Sequence, residues 1–178
     1  MKVKIIVIIL SFIIFFIIVA LGCPNFTSNV LSGRIHFPEE NIGSLLKLDN
    51  GQTFTVFRRL KVEENARSNN RQAVFFVRFK FDRFDIKTNK VLSMIPAIFL
   101  IGMNGFREKY WAADENTNSF LGIYEWATED LAKNYQNSFI FGMLTKRSAS
   151  NTLFYRIMPD TSLSQFVERL SVHQNGKI

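Results

Sequence analysis

The residues with the most chemical potential lie close together: Gly105, Phe106, Lys109, Tyr110 and Trp111, and then Gly122, Tyr124 and Trp126. A lysine set among aromatic rings can hold an anion or act as a base, and the ring faces can stack a flat molecule. Lys109 and Tyr124 are therefore candidate catalytic residues. Gly122 leaves space beside its neighbours, so Tyr110, Trp111, Gly122 and Trp126 are candidate ligand-binding residues, with Tyr135 offering a hydroxyl at the rim. Arg78, like Arg156, can supply positive charge for a phenolate or carboxylate. A purely structural arrangement competes with this one. In it Tyr110 covers the bare backbone of Gly122, and Lys109 pairs with Glu125 across the strands for less than about 1 kcal/mol.

Other chemistries are excluded by composition. The chain has two histidines, His36 and His173, which fall in a linker and a tail, so a Ser-His-Asp triad, a haem ligand and a histidine-rich metal site are not expected. No glycine-rich phosphate loop occurs. The expectation is a site with no metal and no cofactor, working through Lys, Tyr, Trp, Arg, Asn or a carboxylate. That inventory suits oxidation of an electron-rich substrate that itself reduces oxygen, in an apolar pocket shielded from water.

The elements that must position these residues can be read from periodicity. Two aromatic strands flank Asp114-Glu115-Asn116-Thr117-Asn118, whose short polar side chains favour a turn, so residues 105–126 read as a β-hairpin. With the turn at 114–118, Tyr110 faces Gly122 and Phe106 faces Trp126. Phe106, Glu108, Tyr110, Gly122, Tyr124 and Trp126 then share one face, and a one-residue slip exchanges the two sets. Thr128 caps a helix with Leu131, Ala132, Tyr135 and Phe139 on one stripe. Residues 73–82 alternate Phe75, Val77, Phe79 and Phe81 with Phe76, Arg78 and Lys80, a strand. A helix runs from Asp85 to about Ile95, where Pro96 stops it, and residues 96–104 lead back to the hairpin. A last strand spans Thr152 to Met158, and a short helix Ser162 to Leu170. The order β-α-β-β-α-β is the ferredoxin-like α+β arrangement.

Gly105-Phe106, Lys109, Trp111, Gly122-Ile123-Tyr124, Ala132 and Tyr135 resemble the signature of the YdhR-type monooxygenase-like proteins. These are a branch of the dimeric α/β-barrel superfamily that includes the antibiotic biosynthesis monooxygenases. The resemblance covers roughly residues 73–158, with Asn104 in place of a proline and Leu121 in place of a second glycine. It implies a homodimer formed through the sheet and a cofactor-independent monooxygenase activity. Positions that carry it are aromatic residues and glycines, so it speaks to fold before activity.

Ahead of this domain, residues 5–21 contain no charge, and at about 1.5 Å per residue they would cover roughly 26 Å of helix, near the ~30 Å hydrocarbon core. Lys2 and Lys4 precede the run, which by the positive-inside rule sends residues 24–178 outward. Residues 1–23 therefore read as an uncleaved membrane anchor, a lipoprotein signal with Cys23 as the lipidated residue, or a long signal peptide. Residues 24–43 hold Pro24, Ser28, Gly33, Pro38 and Gly43 and read as an extended linker with a short strand at 34–37. Residues 44–72 read as an extra N-terminal β-hairpin, turning at Asn50-Gly51, followed by a polar loop. The final segment, 73–178, is the ferredoxin-like domain.

The formal net charge is +7, with Lys2 and Lys4 supplying two of the positive charges and the rest scattered, so nucleic acid is not an expected partner whereas membrane lipid is. Nineteen Phe residues suit an apolar cavity as well as a solid core. The expected function is an extracytoplasmic domain at the cell membrane, held by a single N-terminal anchor, that binds a small apolar or aromatic molecule. The alternative is a non-catalytic envelope domain for dimerisation or assembly.

Overall fold

The computed structural model describes residues 24–63 and 71–171, together with 11 and 14. The apolar run at 5–21 and Cys23 therefore lie outside the described residues, apart from Ser11 and Ile14. Among those described, no helix is long and apolar enough to cross a membrane.

Alternating strands and capped helices build the domain in the order α1 (Pro24–Leu31), β1 (Ile35–His36), β2 (Leu45–Lys47), β3 (Thr53–Val62), β4 (Ala73–Lys80), α2 (Ile86–Leu92), α3 (Met94–Gly102), β5 (Phe106–Asp114), β6 (Ser119–Trp126), α4 (Glu129–Gln136), α5 (Phe139–Arg147), β7 (Phe154–Pro159) and α6 (Leu163–Leu170). One antiparallel sheet runs β1-β3-β5-β6-β4-β7, with β2 also on β3. Its segment β7-β4-β6-β5, connected through α2–α3 and α4–α5, is the ferredoxin-like unit. The N-terminal hairpin extends that unit by laying β3 along β5.

Both expected helices are broken in two, and each break has a local cause. Asp85 caps α2 by accepting from Thr88 N at 2.8 Å, and the chain restarts at Ser93. Pro96 then falls in the first turn of α3, where the backbone N–H has no intrahelical acceptor and none is lost. The segment expected as a simple return is thus helical. In the second case Ser138 caps α5, and Phe139, expected on the buried stripe of one long helix, is 73% exposed at its start.

Residues 24–43, expected as an extended linker with a short strand at 34–37, do contain that strand as β1, which pairs with the end of β3, but they also hold α1, which packs on α3. Asn29 fixes the helix by donating to the carbonyl of Ile101 at 2.8 Å.

The sheet buries both faces. On one side Phe75, Val77, Phe79, Trp111, Phe120 and Tyr124 meet α3, α4 and α5. The other face carries Val74, Phe76, Tyr110, Leu121 and Ile123, and α6 closes over it with Leu163 and Val167. Phe76, expected to be left wet until a second copy arrived, is 6% exposed and has its ring 6.0 Å from that of Phe166. That face is filled from within the chain.

Candidate active site

Between the helical layer and the sheet lies a cavity of about 60 Å³. Its floor is Lys109 and Trp111 of β5 with Gly122 and Tyr124 of β6, and its walls include Pro96 of α3 and Ile140, Met143 and Leu144 of α5.

A β-bulge decides which residues reach it. Phe106 pairs with Trp126 as expected, yet Glu108 pairs with Glu125, so Arg107 is an extra residue in β5. At the other end Asp114 stays in the ladder opposite Ser119. Its carboxylate accepts from the backbone N–H groups of Asn116 and Thr117, which tightens the turn to four residues. Trp111 therefore faces Gly122 and Tyr110 faces Ile123, one step away from the expected register. An extra residue reverses the alternation beyond it, so Lys109 and Trp111 join Gly122 and Tyr124, and Tyr110 goes to the opposite face. The Lys109–Glu125 pair does not form. Lys109 stands opposite Tyr124, and Glu125 accepts from the backbone N–H of Leu163 at 2.7 Å, at the start of α6.

Lys109 is 4% exposed and, among the described residues, makes no ion pair or hydrogen bond. Its Nζ lies 4.0 Å from the ring centroid of Trp111 and 4.3 Å from that of Tyr124. Removing an ammonium from water costs several kcal/mol, whereas a ring face returns about 0.5–2 kcal/mol. Burial prevails and holds the Lys109 amine well below its usual 10.5, and the Arg58 guanidinium pushes the same way. Arg58 donates to Ser93 Oγ at 2.5 Å and to the carbonyl of Lys90 at 3.0 Å, with its guanidinium 5.8 Å from the Trp111 ring. Arg147 lines the cavity over Phe81, at 4.7 Å. Among the described residues no carboxylate lines the cavity.

Tyr135 Oη donates to Tyr124 Oη at 3.1 Å. Burial raises both phenols, Tyr135 further still because Tyr124 lies beside it, so both stay protonated at neutral pH. Tyr124 can thus donate a hydrogen bond but not serve as a base. A side chain on Gly122 would crowd this pair, since its Cβ would come within 2.8 Å of Tyr124 Cε2 and 3.2 Å of Val77 Cγ1.

Of the residues singled out in the sequence, Lys109, Trp111, Gly122, Tyr124 and Tyr135 line one cavity. Three others lie elsewhere. Arg78 is on the far face, donating to Gln52 Oε1 at 3.3 Å. Tyr110 shares that face, where its hydroxyl accepts from Asn41 Nδ2 at 3.2 Å and its ring lies under Arg59. Trp126 is sealed in the core, its ring stacked on Tyr135 at 5.2 Å and its Nε1 without a partner. Arg58, Ser93 and Arg147 were missed. A second bulge at Phe57 lets Arg58 pair with Trp111, and strict alternation along β3 conceals it.

No protein-family model and no curated protein matches the sequence. Among solved structures, an uncharacterised ferredoxin-fold protein of Listeria monocytogenes related to antibiotic biosynthesis monooxygenases is similar, with TM-score 0.46 and 13% identity over 72% of this chain and 93% of that one. A monooxygenase-like protein of Listeria innocua gives TM-score 0.46 and 12% identity over 69% and 89%. A heme-degrading enzyme of Listeria monocytogenes gives 0.45 and 14% over 74% and 90%. Only the first of these three is described as related to the antibiotic biosynthesis monooxygenases, and none specifies the YdhR branch.

Proposed function

We propose that the cavity binds a small apolar or aromatic molecule and that Lys109, as an uncharged amine, is its catalytic base. The observation that carries this reading is the placement of Lys109: an amine against two ring faces, with the guanidinium of Arg58 beyond Trp111, that of Arg147 on the cavity wall and, among the described residues, no carboxylate on the lining. A neutral amine takes a proton from an acidic O–H or C–H, and the ammonium so formed stabilises the anion it leaves behind. Tyr124 supports that anion with its hydroxyl proton. Such an electron-rich anion can give its electrons to dioxygen, one oxygen atom replacing two hydrogens of the substrate and the other leaving as water. This is the cofactor-independent monooxygenation that the resemblance implies.

Size limits the ligand. About 60 Å³ accommodates roughly two waters, so a ring-sized substrate requires Met143 and Leu144, both half-buried, to swing outward. The proposal includes a tether at the cell membrane through residues 1–23, with the domain on the extracytoplasmic side, for which the apolar run and Cys23 are the support. It also includes a homodimer, on the strength of the resemblance. Since α6 fills the face expected to meet a partner sheet, that dimer uses another surface.

The test is a panel of phenols and quinols added to the full chain, read by tryptophan fluorescence and by oxygen consumption without flavin or metal. The expected result is saturable quenching through Trp111, with oxygen uptake that Lys109→Met abolishes while quenching persists. Quenching without uptake removes the catalysis, and no quenching removes the binding. Protease accessibility of residues 24–178 in intact cells, with fatty-acid labelling of parent and Cys23→Ser, tests the tether.

A further inference from the structure

We infer that Lys109 is also a nucleophilic amine, which captures short-chain aldehydes from the cavity as an imine. This rests on the reading above that the cavity admits small molecules, and adds a second class of ligand with its own covalent chemistry.

Three observations lead to it. First, Lys109 Nζ has no ion-pair or hydrogen-bond partner among the described residues although the side chain is almost wholly buried, and the atom borders the cavity. A lysine that serves only to stabilise a fold is normally paired. Second, the charges facing it are all positive. Arg58 lies beyond Trp111, Arg147 stands at the wall, and the remaining titratable neighbours, Tyr124 and Tyr135, are neutral phenols. Burial and Arg58 both disfavour the ammonium, so the amine more readily offers the lone pair that attacks a carbonyl. Third, the cavity is small, so a short-chain carbonyl compound is the size that enters with the least movement of Met143 and Leu144.

The chemistry balances without an oxidant. The lone pair of Nζ adds to the carbonyl carbon, and the carbonyl oxygen takes up a proton to give a carbinolamine. This then loses one water, so amine and aldehyde become imine and water. The same surroundings shape the outcome. Hydrolysis runs through the protonated imine, and protonation is disfavoured where burial and Arg58 already disfavour the ammonium. The adduct is therefore long-lived, and the site retains an aldehyde instead of turning it over.

The experiment uses the full chain in detergent with propanal at pH 6.5, quenched at intervals into borohydride, which reduces a neutral imine as well as a protonated one, followed by peptide mass spectrometry. Saturable change in near-UV circular dichroism, with propanal and with the isosteric 1-propanol, reports entry into the cavity independently. The expected result is propylation of Lys109 at least about tenfold faster than of Lys133, whose amine is held protonated by Glu129, and protection by 1-propanol. Lys109→Met, which keeps the approximate length and carries no amine, abolishes the fast phase while the near-UV spectrum reports an intact fold. If both probes enter but Lys109 is modified no faster than Lys133, the imine is refuted and the binding cavity stands. If neither probe enters, both readings fall. A fast phase that survives in Lys109→Met places the reactive amine elsewhere and overturns the inference.

Discussion

Burial of its amine gives Lys109 a measurable signature in stability. Above its ordinary value of 10.5 the folded and unfolded chains both carry it neutral. As pH falls below that value the unfolded chain takes up a proton that the folded protein resists, so stability declines until the lower folded pKa is passed, and below that the penalty is constant. Lys109→Met removes the penalty. The variant is expected to be more stable than the parent by about 1 kcal/mol or more at pH 7, with the difference growing as pH is lowered from 10.5. Denaturant titrations across that range measure it, and a variant less stable than the parent at pH 7 would mean that the cation holds the core together. Gly122 makes the opposite prediction. Gly122→Ala drives a methyl against Tyr124 and Val77, and displacing Tyr124 breaks its hydrogen bond with Tyr135. The expected cost is about 1–3 kcal/mol, the usual range for overpacking. An unchanged Tm would show that the tyrosine pair yields freely.

At the scale of elements, the cavity depends on α5, since Ile140, Met143 and Leu144 form its wall. That helix starts on one hydroxyl, Ser138 Oγ, which accepts from Phe141 N at 3.3 Å. Ser138→Ala should cost about 1 kcal/mol, and the loosened wall should speed ligand exchange, read by stopped-flow fluorescence. Equal exchange rates would mean that ligands enter past α3 instead. The elements were largely legible in the sequence. Phe75, Val77 and Phe79 alternate cleanly, Asn50-Gly51 and residues 115–118 turn the two hairpins, and Thr128 caps its helix where expected. Less visible was the site itself. A bulge is one uncounted residue, and nothing in Arg107 or Phe57 distinguishes an extra residue from an ordinary ladder position. The consequence is that Tyr110 and Lys109 exchange faces, although the strands are identified correctly. The helix breaks at Ser93 and Ser138 were hidden for a different reason: serine serves equally well as a helix interior residue facing solvent and as a cap, and only the packing decides.

Across the whole molecule, α6 occupies the face that a ferredoxin-like sheet can offer to a second copy. Its Leu163 and Val167 sit on a surface that includes Val74, Phe76, Leu121 and Ile123. A capping box, in which Ser162 Oγ accepts from Gln165 N and the Gln165 side chain from Ser162 N, starts the helix on that surface. Replacing both Leu163 and Val167 by Glu should release α6 and expose an apolar sheet, raising self-association in sedimentation velocity at micromolar concentration. A double variant that sediments like the parent would show that the face stays covered without these two side chains.

The two sides of the sheet also differ in how they end. Beyond β3 lie two separate short strands, β1 and β2, which leave no continuous row of free backbone groups. Beyond β4 lies β7, whose outer side has no strand against it among the described residues. A ribbon blunt on one side and open on the other can add a copy of itself only through the open side. Two such edges meeting antiparallel use each other up, and neither complex face remains to recruit a third chain. Pairing through this edge of the sheet, where it occurs, therefore stops at two.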